Sequence, residues 1–363
     1  MWSNLGLLPQ PDEIEVTLIG PGYGESVVVH LGQGEWLIVD SCVDSTDPNK
    51  PSVPLQYLRQ LGVKVEDAVK FIVVSHWDDD HVRGLGEVVE ACLNAKFVCS
   101  KVFPDDKFIN FVAAHSIGSA ATDGAGVRNF RRVLDCLAAR SKTITKAVPG
   151  RKLCGQPIIQ SWSPSDYDDT QFLFYVAQEH PKAGEPLRKA IPGTGNLTSI
   201  VLSIDWPESS VLLGADMEHS ADRRRGWGAV VSETQQLGGW RKGHLVKIPH
   251  HGSHTGHHDG IWNTLLESFP ISLVAPFGGG AIKSRPPKSS DIRRISTKSR
   301  SLFVTARHLV SSRPNRSIAV NRSLRDGKIT MTGRTTPIGM VRVRRKLGDD
   351  WKHELFGAAY RVK

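Results

Sequence analysis

Residues 71–83 read Phe71-Ile72-Val73-Val74-Ser75-His76-Trp77-Asp78-Asp79-Asp80-His81-Val82-Arg83, an apolar run that passes directly into two histidines and three carboxylates within six positions. Four consecutive large apolar residues read as a fully buried strand, and Val82, Leu85, Val88, Val89 and Cys92 then recur at helical spacing. The ionisable residues therefore fall in a strand-to-helix turn, where exposed N–H groups favour anions. One aspartate there is explained as an N-cap; five ionisable groups together are not. Negative charge at this density repels itself unless a cation neutralises it, and mixed imidazole and carboxylate donors suit a hard to borderline divalent metal. The turn is read as a metal site.

Outward from it, two further stretches carry chemistry. Gly214-Ala215-Asp216 follows the apolar run Val211-Leu212-Leu213. An aspartate just after a buried strand can reach a metal with its short side chain, or can cap a following helix. Leu245 to Ile248 leads through Pro249 into His250-His251-Gly252-Ser253-His254-Thr255-Gly256-His257-His258, five histidines in nine residues. His257 and His258 fit a surface; the others are candidate ligands, proton donors or phosphate contacts.

These stretches resemble the metallo-β-lactamase superfamily. His76, Asp78, Asp80 and His81 fit its HxHxDH signature with the second His replaced by Asp, and this HxDxDH form is similar to the hydrolase domain of ComEC-type DNA-uptake proteins. Gly22-Tyr23-Gly24-Glu25-Ser26, Trp36 to Asp40, Asn196 to Leu202, Leu212 to Glu218 and Lys247 to Ser253 resemble that group's other motifs, in order. The resemblance implies a four-layer αβ/βα sandwich of the α/β class and two divalent ions, Zn2+ or Mn2+. It implies His76, Asp78 and bridging Asp216 as ligands of one ion, and Asp80, His81, His250 and Asp216 as ligands of the other. Asp40 would support the ligand turn from behind. Asp80, Asp216 and His251 form the expected catalytic set, and Asn196, Ser253, His254 and Arg285 the expected substrate contacts. Asn196 stands where superfamily members often supply a histidine, and Ser284-Arg285-Pro286 stands where a GHP triplet is common. The residues alone do not separate the roles of His250 and His251.

The chain has 363 residues, 39% of them hydrophobic and 23% charged, which describes an ordinary globular protein. No apolar run approaches the roughly 20 residues of a membrane span, and Met1-Trp2-Ser3-Asn4 opens no leader-like pattern, so a cytoplasmic protein without a membrane role is expected. Cys42, Cys92, Cys99, Cys136 and Cys154 are odd in number and lack CxxC spacing, which suits free thiols in a reducing compartment. The net charge of +9 is uneven: residues 281–363 hold 21 Lys and Arg against 5 Asp and Glu, leaving 25 against 32 elsewhere. A basic final quarter commonly meets phosphate backbones, or is a solvated surface.

In chain order, Glu15 to Ile19, Val27 to Leu31 and Trp36 to Asp40 read as an antiparallel meander. Pro54 to Leu61, Ile109 to Ala114, Val127 to Ala139 and Lys288 to Ile295 read as helices. Phe172 to Ala177, Ser199 to Asp205, Ser210 to Leu213 and Leu302 to Thr305 read as strands, as do Ser317 to Val320, Lys328 to Thr332 and Met340 to Arg344. The expected organisation is a hydrolase domain over 1–306 with a cap insertion at 102–155, then a basic β-rich extension at 307–363. Arg128, Arg131 and Arg132 on the insertion are candidate phosphate contacts or a solvated helix face.

Three functions follow from this reading. A metal-dependent nuclease acting on DNA leads. A hydrolase of a cyclic nucleotide, phosphorylated metabolite, lactam or thioester keeps the site and changes the substrate. A nucleic-acid-binding module or partner protein with a decayed site is the third, supported by the missing histidine at Asn196. A partner chain or homo-oligomer is compatible with each.

Overall fold

The meander expected at the start of the chain forms because three β-prone segments are separated by glycine turns. In the computed structural model, which describes residues 2, 5–22, 24–44, 46–47, 49–117, 125–179, 195–278, 285–307 and 337–363, these segments are β1 (Glu13–Gly20), β2 (Ser26–Gly32) and β3 (Glu35–Val39). They pair antiparallel. The chain then crosses over through α1 (Val53–Gln60) and α2 (Val65–Ala68) to β4 (Val69–Val73), which lies parallel to β3. Pro54 at the start of α1 has the φ a first helical turn needs, and Leu55 and Leu58 bury one face. After β4 come α3 (Asp79–Val82), α4 (Leu85–Ala91) and β5 (Lys96–Ser100), so the acidic turn does end a buried strand and open a helix.

The segment 102–155 is more than a cap. It begins with α5 (Asp106–Ile117) and α6 (Ala125–Ala139), which cover both stretches expected to be helical. Phe130, Val133 and Leu137 recur along one face of α6 and are buried against the first sheet's helical layer. It ends, however, in β6 (Ile144–Ala147), parallel to β5, and β7 (Arg151–Gly155), which pairs with β8 (Ile158–Ser161). The insertion therefore supplies one edge strand to each sheet.

Phe172 to Ala177 is helical, correcting the strand reading: it lies in α7 (Asp166–Glu179). The Ser165 hydroxyl accepts from the Asp168 N–H at 3.1 Å and acidic residues fill the first turn, which are helix-start signals. Phe172 and Val176, one turn apart, are buried, whereas Phe174 between them is 60% exposed.

The second sheet continues with β9 (Leu202–Trp206), β10 (Ser209–Leu213), β11 (Gly243–Lys247), β12 (Leu266–Val274) and β13 (Ser301–Val304). β9 begins three residues later than expected, after a short 3-10 turn at Gly195–Thr198. α8 (Gly226–Leu237) and α9 (Ser289–Ser296) cover its outer face. Each sheet has three consecutive parallel pairings, β3-β4-β5-β6 and β10-β11-β12-β13, with antiparallel strands beyond.

Between the sheets, Val16, Leu18, Val29, Leu37 and Val73 meet Ile204, Val211, Leu213, Leu245 and Leu273. Fully burying a side chain of this kind is worth about 1.5–3 kcal/mol. A second apolar layer packs the first sheet against α1 and α4 to α7, and a third packs the other sheet against α8 and α9. The result is the expected four-layer αβ/βα sandwich.

The C-terminal residues do not form an appendage to it. β14 (Gly339–Lys346) pairs antiparallel with β1 from Glu13↔Lys346 to Gly20↔Gly339. β15 (Lys352–Gly357) pairs with β14, and β16 (Tyr360–Arg361) pairs with β13 in the other sheet. Met340 to Arg344 is thus a strand as expected, but one inside the first sheet. Ser317 to Val320 and Lys328 to Thr332 lie outside the described residues. Arg342, Arg344 and Arg345 are occupied within the fold, on Glu354 and Tyr57, on Glu15, and on Ser209 and Glu208 respectively. No helix among the described residues is long and apolar enough to cross a membrane.

Candidate metal centre

The carboxyl ends of β4, β10 and β11 and the turn before β2 converge on one rim of the sandwich, where open α/β sheets place their ligands. Gly24 permits this approach: with φ +100°, a Cβ there would stand 1.8 Å from the Asp80 carbonyl oxygen. The Glu25 N–H donates to that same carbonyl at 3.1 Å, tying the glycine turn to the ligand turn.

His76 and His81 are both fully buried, with ring centres 4.1 Å apart. The Asp40 carboxylate organises them. It accepts from the Ser75 N–H at 2.7 Å, from the Ser75 hydroxyl at 2.5 Å and from His81 Nδ1 at 2.8 Å. Because the Ser75 hydroxyl proton is committed to Asp40, its oxygen accepts from His76 Nδ1 at 2.9 Å. His251 Nδ1 donates to the Ala275 carbonyl at 2.9 Å. Three imidazoles thus have Nδ1 committed to an oxygen and turn Nε2 toward a shared space, the arrangement that metal-binding histidines adopt.

That space is lined by carboxylates. His81 Nε2 lies 3.4 Å from Asp216 Oδ2, and His251 Nε2 lies 3.1 Å from Asp216 Oδ2 and 3.2 Å from Asp80 Oδ2. Asp80, His81, Asp216 and His251 each offer a donor atom, all within 4.8 Å of one another. Among the described residues, His76 Nε2 and His81 Nε2 are buried without a hydrogen-bond partner, the state of a nitrogen whose lone pair is reserved for a cation. The donor set and these two nitrogens fit a divalent ion.

The electrostatics agree. Burial opposes a charge on His81 and on His251, but Asp216 with the neighbouring acids outweighs it and raises both pKa values well above the usual imidazole range. Positive charge is what this cavity demands, and a divalent cation would displace those protons. Burial, reinforced by repulsion from His81, drives His76 well below its ordinary pKa, so it is neutral. Burial and the neighbouring Asp80 push Asp78 up to about 7.

Asp78 stands on the His76 side, its Oδ2 3.9 Å from His76 Nε2, and Asp40, His76 and His81 form a second group whose donor atoms lie within 4.8 Å of one another. Gly195 keeps this side open, because a Cβ there would stand 2.5 Å from Asp78 Oδ1.

The structure gives the two adjacent histidines different surroundings. His250, expected as the last ligand, is not among the group of four: its Nδ1 is 2.7 Å from Thr255 Oγ1 and 2.9 Å from Glu218 Oε1, and its Nε2 is 3.4 Å from Asn196 Nδ2. His251 is the one of the two that belongs to that group. The cause is backbone geometry, since His250 and His251 have φ of +46° and +52°. Two left-handed residues after Pro249 reverse the chain and aim the second ring inward, a strained conformation of the kind found at functional sites.

Of the expected substrate contacts, Asn196 is buried beside Glu218 and His250. Ser253 caps the turn at His254–Gly256 through the Thr255 N–H, and His254 is exposed. Arg285 is half-buried. Trp77 packs edge-on against Phe108, Phe111 and Phe172 and belongs to the core.

Lys247, Glu25 and Glu218 were not singled out from sequence as site residues. Lys247 ends an apolar strand, where a buried polar residue is the available signal; its side chain is 1% exposed and touches Asp216.

Residues 19–106, which include Gly24, Asp40 and the His76–His81 run, match the profile described as the metallo-beta-lactamase superfamily. No curated protein matches the chain. Among solved structures, the metallo-beta-lactamase fold protein YhfI from Bacillus subtilis is 13% identical, with 82% of this chain and 97% of that one covered and a TM-score of 0.39. A metallo-beta-lactamase from Cronobacter sakazakii is 12% identical over 65% of this chain and 76% of that one, with a TM-score of 0.36. The dizinc quorum-quenching lactonase AidC is 13% identical over 59% and 67%, with a TM-score of 0.32. Residues 19–106, set within the two sheets of the αβ/βα sandwich, are thus similar to the metallo-beta-lactamase superfamily.

Proposed function

We propose that this protein is a divalent-metal-dependent hydrolase that cleaves phosphodiesters, with DNA as its substrate. The observation that carries the hydrolase reading is the convergence of His81 and His251, each held by Nδ1, on Asp80 and Asp216, with His76 and Asp78 alongside. His76, Asp78 and Asp216 would hold one ion, and Asp80, His81, His251 and Asp216 the other. Bound divalent ions supply a hydroxide nucleophile at neutral pH and stabilise charge on both attacking and leaving oxygens. Asp78 and Asn196, standing where histidines are usual, make the first position rich in oxygen, which favours Mn2+ there over Zn2+. Asp40 fixes the tautomer of His81 and, through Ser75, that of His76. Asn196, Ser253, His254 and Arg285 are the groups proposed to meet the phosphate oxygens.

Incubation of the purified protein with single- and double-stranded DNA, in Mn2+ or Zn2+, tests the reading against Asp80→Ala. Cleavage by wild type and its loss in the variant is the expected result. Intact DNA in both overturns the nuclease proposal. Five free thiols suit a reducing cytoplasm.

A second reading, a hydrolase of a small phosphorylated, lactam or thioester substrate, is favoured by one observation. Arg342, Arg344 and Arg345 of the basic C-terminal quarter are engaged inside the sheets instead of forming an open polyanion track. Truncation near Arg307 does not separate the readings, because it removes β14 from the first sheet. Hydrolysis of bis(p-nitrophenyl) phosphate and of a lactam panel, with DNA as competitor, does. The decayed-site reading requires wild type to take up no stoichiometric metal.

A further inference from the structure

Lys247 is the last residue of β11, and its ammonium is enclosed by three oxygens. Its Nζ donates to the Ala215 carbonyl at 2.8 Å and to Asp216 Oδ1 at 3.3 Å, and forms an ion pair with Glu25 Oε1. An ammonium has three donors, so all are used. Two of these partners lie in the Asp216 turn of the second sheet, where Ala215 has φ +44°. The third lies in the glycine turn of the first sheet, whose Glu25 N–H holds the Asp80 carbonyl. One buried cation therefore joins the two ligand-bearing turns across the gap between the sheets.

It also divides the two oxygens of Asp216. Oδ1 is taken by Lys247, and Oδ2 faces His81 and His251. We propose that Lys247 is a positioning residue that presents Asp216 to the metal through Oδ2 alone and holds the Asp80 and Asp216 turns at ligand distance. This inference rests on the metal-dependent hydrolase reading. Two effects of opposite sign follow from removing the ammonium, and they make it testable. Loss of a positive charge beside the cavity draws a divalent cation in more strongly. Loss of the hold on Asp216 and Glu25 lets the donors rotate and drift, and partners of metal ligands of this kind commonly matter by about 10- to 100-fold in affinity.

Metal uptake by wild type, Lys247→Met and Glu25→Gln is measured by titration calorimetry with Mn2+ and with Zn2+, and the thermal midpoint of each is measured in EDTA. The expected result is at least tenfold weaker uptake in Lys247→Met than in wild type, with weakening in the same direction in Glu25→Gln, which keeps the lysine and removes its charged partner. Uptake that is unchanged or tighter in Lys247→Met overturns the proposal, since charge then outweighs position. Should Lys247→Met not fold, Glu25→Gln decides alone, and unchanged uptake in it overturns the proposal. A wild type that takes up no metal fails the hydrolase reading itself, a result distinct from either.

Discussion

His81 Nδ1 lies 2.8 Å from Asp40 Oδ2, and both groups are buried. The same carboxylate holds Ser75, which in turn holds His76, so a single acid sets the tautomers of two candidate ligands. Asp40→Ala should weaken metal uptake by about 10- to 100-fold. Calorimetric titration of the variant measures this, and uptake equal to wild type would show that the rings are aimed by packing alone.

Replacing the group at the centre should do more than replacing its support. Asp216→Ala removes the oxygen that faces both His81 and His251, and should abolish stoichiometric metal binding together with hydrolysis. Metal analysis of the purified variant, beside its circular dichroism spectrum, separates this from misfolding. A variant with full metal content and full activity contradicts the assignment.

Gly24→Ala should act without touching any donor. An added Cβ meets the Asp80 carbonyl oxygen at 1.8 Å and sits at φ +100°, so the glycine turn or the ligand turn must move. The expected loss is about 2–4 kcal/mol of stability, since both overpacking and backbone strain contribute. Denaturant unfolding reads it directly.

Asp169, on α7, gives a pH-dependent prediction away from the metal centre. Burial pushes its carboxyl up to about 7, against the opposing help of Ser100 and Lys101. Its Oδ1 accepts from the Ser100 hydroxyl at 2.9 Å, and Lys101 Nζ stands 3.5 Å from Oδ2. Between about pH 4 and 7 the folded protein holds a proton that the unfolded chain has released, so this group's contribution to stability falls as pH rises through that window and levels off above it. Asp169→Asn should therefore stabilise the protein increasingly from pH 4 to 7, by about 1–3 kcal/mol at pH 8. Thermal midpoints that shift equally at pH 4 and pH 8 would refute it.

What could be read beforehand depended on whether the signal was local. His76, Asp78, Asp80 and His81 stood out as candidate donors because strand, acidic turn and helix follow one another within a few residues. The split of His250 from His251 did not, because it is decided by two left-handed backbone conformations that an HHG triplet does not announce. Phe172 to Ala177 misled because an aromatic run satisfies a strand pattern, while the helix signal lay upstream at Ser165. Lys247 was hidden for a different reason: its charged partners, Glu25 and Asp216, are brought to it only by the meeting of two sheets. The excess of arginines after residue 281 could be counted but not placed, since counting charges cannot distinguish a guanidinium in water from one pinned, as Arg344 is to Glu15 and Arg342 to Glu354.

The antiparallel match of β1 with β14 has a bearing on how the molecule is made. β1 leaves the ribosome long before β14 exists, and until then its outer edge has no partner strand and Glu15 lacks Arg344. Pairings between such distant stretches slow folding, and an open strand edge invites pairing with another chain. Until translation reaches Gly339–Lys346, more than 300 residues later, the first sheet is left open beside β1.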